Sequence, residues 1–142
     1  MLLRIRLYSM SKKNILVLIG IVYVSLISFG SLSSSNNISM LDFKYIDKII
    51  HLISYAILCL IIFLIFETFK TKASIWSAFL FSAAYGIFIE ILQLMITTRE
   101  FSLLDILSNT VGILIMTSII SLKKQFIVKK LEAYMLFLLI FN

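Results

Sequence analysis

Four apolar runs alternate with short polar breaks along this chain, at about residues 14–32, 47–66, 73–97 and 103–122. A helix rises about 1.5 Å per residue, so runs of roughly 20 residues match the hydrocarbon thickness of a bilayer. The third run has some length to spare, which a tilted span accommodates. The pattern predicts an all-α fold: an integral membrane four-helix bundle occupying the chain as a single domain. After Lys123 and Lys124 the closing stretch "EAYMLFLLIFN" is apolar but about half the length needed to cross. It is read as a short amphipathic or interfacial tail, lying on the inner surface or folded against the bundle.

Composition supports this reading. With 61% hydrophobic and 14% charged residues, no proline and a mean hydropathy of +1.09, the chain lies outside the range of soluble domains. In a soluble protein the net charge of +6 would suggest nucleic acid, but here the bases flank the apolar runs, so no nucleic-acid partner is expected. Cys59 is the single cysteine, which excludes an intrachain disulfide and a thiol pair. The first run follows a basic leader and precedes "SLSSSNN", as in a signal peptide. It is longer than a usual signal core and three more runs follow, so it is read as an uncleaved anchor. Met10 followed by "SKKN" resembles a start, and no function is assigned to residues 1–9.

Charge sets the expected orientation. With both termini inside, Arg4, Arg6, Lys12, Lys13, Lys70, Lys72, Lys123, Lys124, Lys129 and Lys130 are cytoplasmic, against Lys44, Lys48 and Arg99 outside. That is the positive-inside bias. Cysteines introduced at Ser35 or Glu100 in a Cys59-free background should therefore react with impermeant reagents on intact cells, and one at Thr71 should not. Labelling at Thr71 alone would invert the topology.

Polar residues inside the runs are the candidates for chemistry, because lipid cannot satisfy them. Asp47, His51 and Tyr55 are spaced i, i+4, i+8 and share one helix face. Glu90 and Gln93 are i, i+3 neighbours, and Asp105, Asn109 and Gly112 form a third stripe. With Lys48, Arg99 and Ser102, these residues all fall within about two turns of the outer face, and the inner halves of the spans are expected to carry nothing comparable. Ala78, Ser82 and Gly86 on the third run, and Ser108 and Gly112 on the fourth, are the small residues expected to permit close helix approach.

Each candidate also has a purely structural reading. Asp47, Asp105 and Ser102 suit helix N-termini. Lys48 and Arg99 suit head-group anchors, Tyr55 an interfacial or core aromatic, and Gln93 and Asn109 interhelical hydrogen bonds. His51 shares its stripe with Asp47 and is the only histidine. Glu90, in "GIFIEILQLMI", has no cation on its own helix and must find one elsewhere, with Arg99 or His51 as candidates.

The order Asp47-Lys48-x-x-His51-x-x-x-Tyr55, Glu90-x-x-Gln93, then Arg99, Ser102, Asp105, Asn109 and Gly112 resembles the VanZ-like family of small bacterial membrane proteins over about residues 14–122. The resemblance implies a multi-pass protein of the bacterial cytoplasmic membrane. It also implies a role in the cell envelope that reduces susceptibility to lipid-containing glycopeptides such as teicoplanin. The family often carries a proline or aromatic near this arginine, and "ITTREFS" has no proline.

Two function classes fit these residues. In the first, His51, Glu90 and Asp105 perform acid–base catalysis on a lipid-linked envelope intermediate, with Asp47, Lys48, Tyr55, Gln93, Arg99, Ser102 and Asn109 as binding groups. In the second, the same pocket binds a glycolipid, envelope precursor or lipoglycopeptide without turnover. No nucleophile motif, phosphate loop or dinucleotide fingerprint is present, and no cofactor is assigned. A metal held by Asp47, His51, Glu90 and Asp105 is chemically feasible, but the spacing is not diagnostic, so no metal ligand is assigned. A proton path is disfavoured because the polar residues are expected to stop halfway across.

Overall fold

The structure, a computed structural model, describes residues 12–33, 46–96 and 102–140, without the side chains of Lys12, Ile96 and residues 134–140. It contains four helices: α1 (Lys12–Leu32), α2 (Ile46–Thr68), α3 (Ser74–Ile96) and α4 (Leu103–Ile140). All four are long and apolar enough to cross a membrane, and no strand occurs among the described residues. α2 and α3 pack on each other, and α1 and α4 each pack on both of them.

The predicted runs and the observed helices agree to within about two residues, except at the C-terminus. There α4 continues in helical conformation to Ile140, with one non-helical residue, Lys123, at φ −123° and ψ 19°. Beyond this kink Ile127 and Val128 pack against the bundle core, so the start of the tail folds against the bundle.

The turn between α2 and α3 shows why α2 stops where it does. Thr71 N–H donates to Phe66 O at 3.0 Å and Lys70 N–H to Glu67 O at 2.9 Å, the paired hydrogen bonds of a Schellman motif. Lys70 sits at the left-handed position with φ 56°, where glycine is usual. Lys70→Gly should therefore leave the protein as stable or gain about 0.5–1 kcal/mol by relieving backbone strain. Resistance to SDS unfolding would measure it.

The interior is a column of side chains contributed mainly by α2, with Tyr55, Leu58, Cys59 and Phe63 buried against Ala78 of α3 and Ile113 and Ile120 of α4. Large apolar side chains on the outer faces, such as Phe29, Leu80, Met95 and Leu104, are exposed and suit acyl chains. Ala78 and Ser82 are buried at the α3 interface. Gly112 gives the tightest approach, because a Cβ there would overlap the Leu52 carbonyl and lie 2.9 Å from its carbon. Ser108 departs from the expectation that it lines an interface: its hydroxyl turns back to the Leu104 carbonyl at 2.8 Å on its own helix.

α1 is tied on by polar contacts. Tyr23 Oη donates to Ser54 O at 3.1 Å, and the Tyr85 hydroxyl lies 2.7 Å from Ser28 Oγ. Gln93 Nε2 donates to Ser31 O at 2.7 Å.

Candidate functional site

The first turns of α2 and α4 lie side by side and create a polar cluster. Ser102 precedes α4 and caps it, its Oγ accepting from Asp105 N–H at 3.3 Å and its carbonyl accepting from the same amide at 3.0 Å. The Asp105 side chain extends towards α2, where it pairs with Lys48. Lys48 Nζ also contacts Asp47 Oδ2 at 3.1 Å and lies 3.5 Å from Ser102 Oγ. Lys48 therefore does not snorkel as a free head-group anchor: its ammonium turns inward onto two carboxylates. Asp47 is not the N-cap of α2, because the helix begins at Ile46 and places Asp47 in the first turn. Its charge still suits the positive end of the helix.

One turn deeper, His51 is buried and its Nδ1 lies 3.0 Å from Asn109 Oδ1 on α4. An amide oxygen only accepts, so Nδ1 carries the proton in this bond. Nε2 then faces Asp47 Oδ1 at 3.9 Å, too long for a direct hydrogen bond. The next residue of the stripe, Tyr55, stacks on His51 with ring centroids 6.5 Å apart and an interplanar angle of 7°. Gly86 of α3 leaves the room these side chains occupy, since a Cβ there would lie 3.0 Å from Tyr55 Cε1 and 3.5 Å from Asn109 Nδ2. Tyr55 Oη and Asn109 Nδ2 are buried without a hydrogen-bond partner among the described residues.

The structure thus brings Asp47, Lys48, Ser102 and Asp105 into one hydrogen-bonded group beside the His51–Asn109 pair, with Tyr55 stacked beneath His51. Glu90 is buried on α3, one turn from Gly86, on the helix that faces this group. Gln93 Nε2 serves the α1–α3 contact. Arg99 lies outside the described residues.

A second polar group, not among the candidates, lies at the ends of the predicted runs. Lys124 Nζ pairs with Glu67 Oε2 at 2.9 Å, and Ser74 Oγ donates to the same oxygen at 2.6 Å. These three residues join α2, α3 and α4 at the opposite end of the bundle. The signal was present in sequence, since Asp47, His51, Tyr55, Cys59, Phe63 and Glu67 follow one another at four-residue intervals. The apolar Phe63 interrupts the stripe. Between the two ends, Cys59 Sγ lies 3.7 Å from Thr117 Oγ1.

The cluster at the start of α2 and α4 offers an imidazole, two carboxylates and an ammonium in a partly dehydrated recess. Such a set can hold or move a proton and can bind a charged group. No curated protein and no solved structure matches the chain. A family model described as VanZ/LLP1 matches residues 4–124, which includes every member of the cluster, and the chain belongs to the VanZ/LLP1 family.

Proposed function

We propose that this protein acts at the outer leaflet of the bacterial cytoplasmic membrane, where its polar recess engages a lipid-linked component of the cell envelope. By acting on that component it reduces susceptibility to lipid-containing glycopeptides such as teicoplanin. The observation that carries this reading is the Asp47–Lys48–His51–Asp105–Asn109 group between α2 and α4, with His51, Asp105 and Asn109 buried, at the end of the bundle that the charge distribution assigns to the outside. Charged groups at such a depth are costly to maintain for packing alone. His51 is the acid–base residue of this scheme, Glu90 and Asp105 its carboxylate partners, and Lys48 and Arg99 the contacts for an anionic head group.

A second reading, binding without turnover, is favoured by the engagement of Lys48 with Asp105 and of His51 with Asn109. Groups held in this way suit fixed recognition of a glycolipid, an envelope precursor or the antibiotic itself.

The test uses a susceptible strain expressing the protein, together with purified protein in detergent and a panel of polyprenyl phosphates and pyrophosphates. Glu90→Gln should abolish the teicoplanin phenotype while leaving membrane insertion nearly intact, because the amide keeps the shape and removes the charge. Lys72→Gln, at the opposite side, should have no effect. Turnover that is lost in Glu90→Gln supports catalysis, and saturable binding without turnover supports recognition. A phenotype that is unchanged in both Glu90→Gln and His51→Gln would remove the recess from the function.

A further inference from the structure

We infer that Asp47, His51 and Asp105 form a binding site for a divalent transition cation of the zinc or manganese class, and that the Lys48 ammonium is the tethered cation that occupies this site when no metal is bound. One donor atom from each of the three side chains lies within 4.8 Å of the others. Ligands on a common ion are separated by about 3–4 Å at bond lengths near 2.1 Å, so small side-chain shifts bring the set to bonding distance.

The imidazole supplies an independent observation. His51 is 94% buried by its 6% exposure, and its Nδ1–H is committed to Asn109 Oδ1 at 3.0 Å. The other ring nitrogen, Nε2, is turned towards Asp47 Oδ1 at 3.9 Å, beyond direct hydrogen-bond distance. A cation seated between this nitrogen and the carboxylate oxygens can be reached by both with small side-chain shifts. A ring nitrogen fixed by an acceptor on its far side, with the other nitrogen presented to the ion, is the usual arrangement of a metal-ligating histidine.

Lys48 completes the argument. Its ammonium already sits on both carboxylates, which marks where positive charge is stable, and its flexible stem allows it to withdraw. A divalent ion bound by one imidazole nitrogen and two carboxylate oxygens keeps at least one coordination position for water or for a ligand oxygen. Its arrival also releases Lys48 to face an anionic head group, so cation binding and head-group binding reinforce each other. That coupling rests on the proposed function; the cation site itself does not.

The experiment uses the full chain in detergent, stripped with chelator and titrated with ZnCl₂ or MnCl₂ alone, so that its outcome is independent of any lipid or antibiotic assay. One ion should bind per chain, with affinity weakened about tenfold or more in Asn109→Ala and lost in His51→Ala and Asp105→Asn. Lys48→Met removes the competing ammonium, so it should bind the ion at least as tightly as the wild type and show the larger metal-induced rise in melting temperature. That variant separates the proposal from a purely structural role, and retention of helix content by circular dichroism verifies that each variant folds. Absence of saturable binding in both the wild type and folded Lys48→Met overturns the proposal. So does stoichiometric binding that survives His51→Ala, or a nitrogen NMR spectrum showing Nε2 still protonated at saturating metal.

Discussion

Gly112→Leu should yield no folded bundle, and even Gly112→Ala should unfold at markedly lower SDS fraction than the parent. The hydrogen at this position faces the backbone of α2, where a Cβ would overlap the Leu52 carbonyl and approach its Cα to 3.1 Å. Backbone cannot rotate away as a side chain can, so α4 must separate from α2. Overpacking of this kind costs about 1–3 kcal/mol when side chains absorb it, and a rigid helix pair absorbs less. Opening the seam would also separate Asp105 from Lys48 and Asn109 from His51, since both pairs bridge the same two helices.

The other glycines provide internal comparisons. Nothing lies within 4 Å of a Cβ at Gly30, so Gly30→Ala should be neutral or should gain up to about 1 kcal/mol from helix propensity. Gly86→Ala meets the edge of the Tyr55 ring at 3.0 Å, a side chain that can shift by a few tenths of an ångström. It should therefore cost little stability while disturbing the ring on which His51 stacks. Equal losses for Gly112→Ala and Gly30→Ala would mean that the α2–α4 seam is looser than described.

Much of this architecture was written in the order of residues. Four apolar runs of spanning length predict four helices, because only internally hydrogen-bonded segments are stable in lipid. The i, i+4 spacing of Asp47, His51 and Tyr55 places them on one face before any neighbour is known. Which face of which helix they meet is not local information. Lys48 suits a head-group anchor and an inward ion pair equally well by sequence. The choice depends on Asp105, 57 residues away, reaching Lys48 across the α2–α4 seam.

Gln93 was ambiguous for another reason. Its partner is the Ser31 carbonyl, and a backbone acceptor leaves no residue-specific trace in the sequence. The inner Glu67–Ser74–Lys124 group combines both difficulties, since its members come from three helices and the α2 stripe leading to Glu67 is interrupted by Phe63. Its presence weakens the earlier argument against a polar route across the bundle. Even so, Phe63, Ile113 and Ile120 remain buried in the same core, and that apolar core separates the two ends.

The Lys48–Asp105 pair should show the largest coupling of any polar pair among the described residues, and a double-mutant cycle measured with chelator present will isolate it. The two side chains retain 24% and 6% of their exposure, so both charges have given up most of their water. Removing one partner leaves the other charge buried, at a cost of about 3–5 kcal/mol for fully buried pairs. Asp105→Asn should fall near the lower end, because Lys48 keeps some solvent and its contact with Asp47. Lys48→Met combined with Asp105→Leu removes both charges and should recover much of that loss, since the desolvation cost disappears together with the attraction. Lys124→Gln is the control: with Lys124 and Glu67 at 39% and 24% exposure, water screens the inner pair, and the substitution should cost less than about 1 kcal/mol. The stability recovered by the double variant should not restore function, because the ammonium and the carboxylate are both gone from the recess. A coupling below about 0.5 kcal/mol, the level of additive distant sites, would place Lys48 in head-group water and return it to the role of a surface anchor.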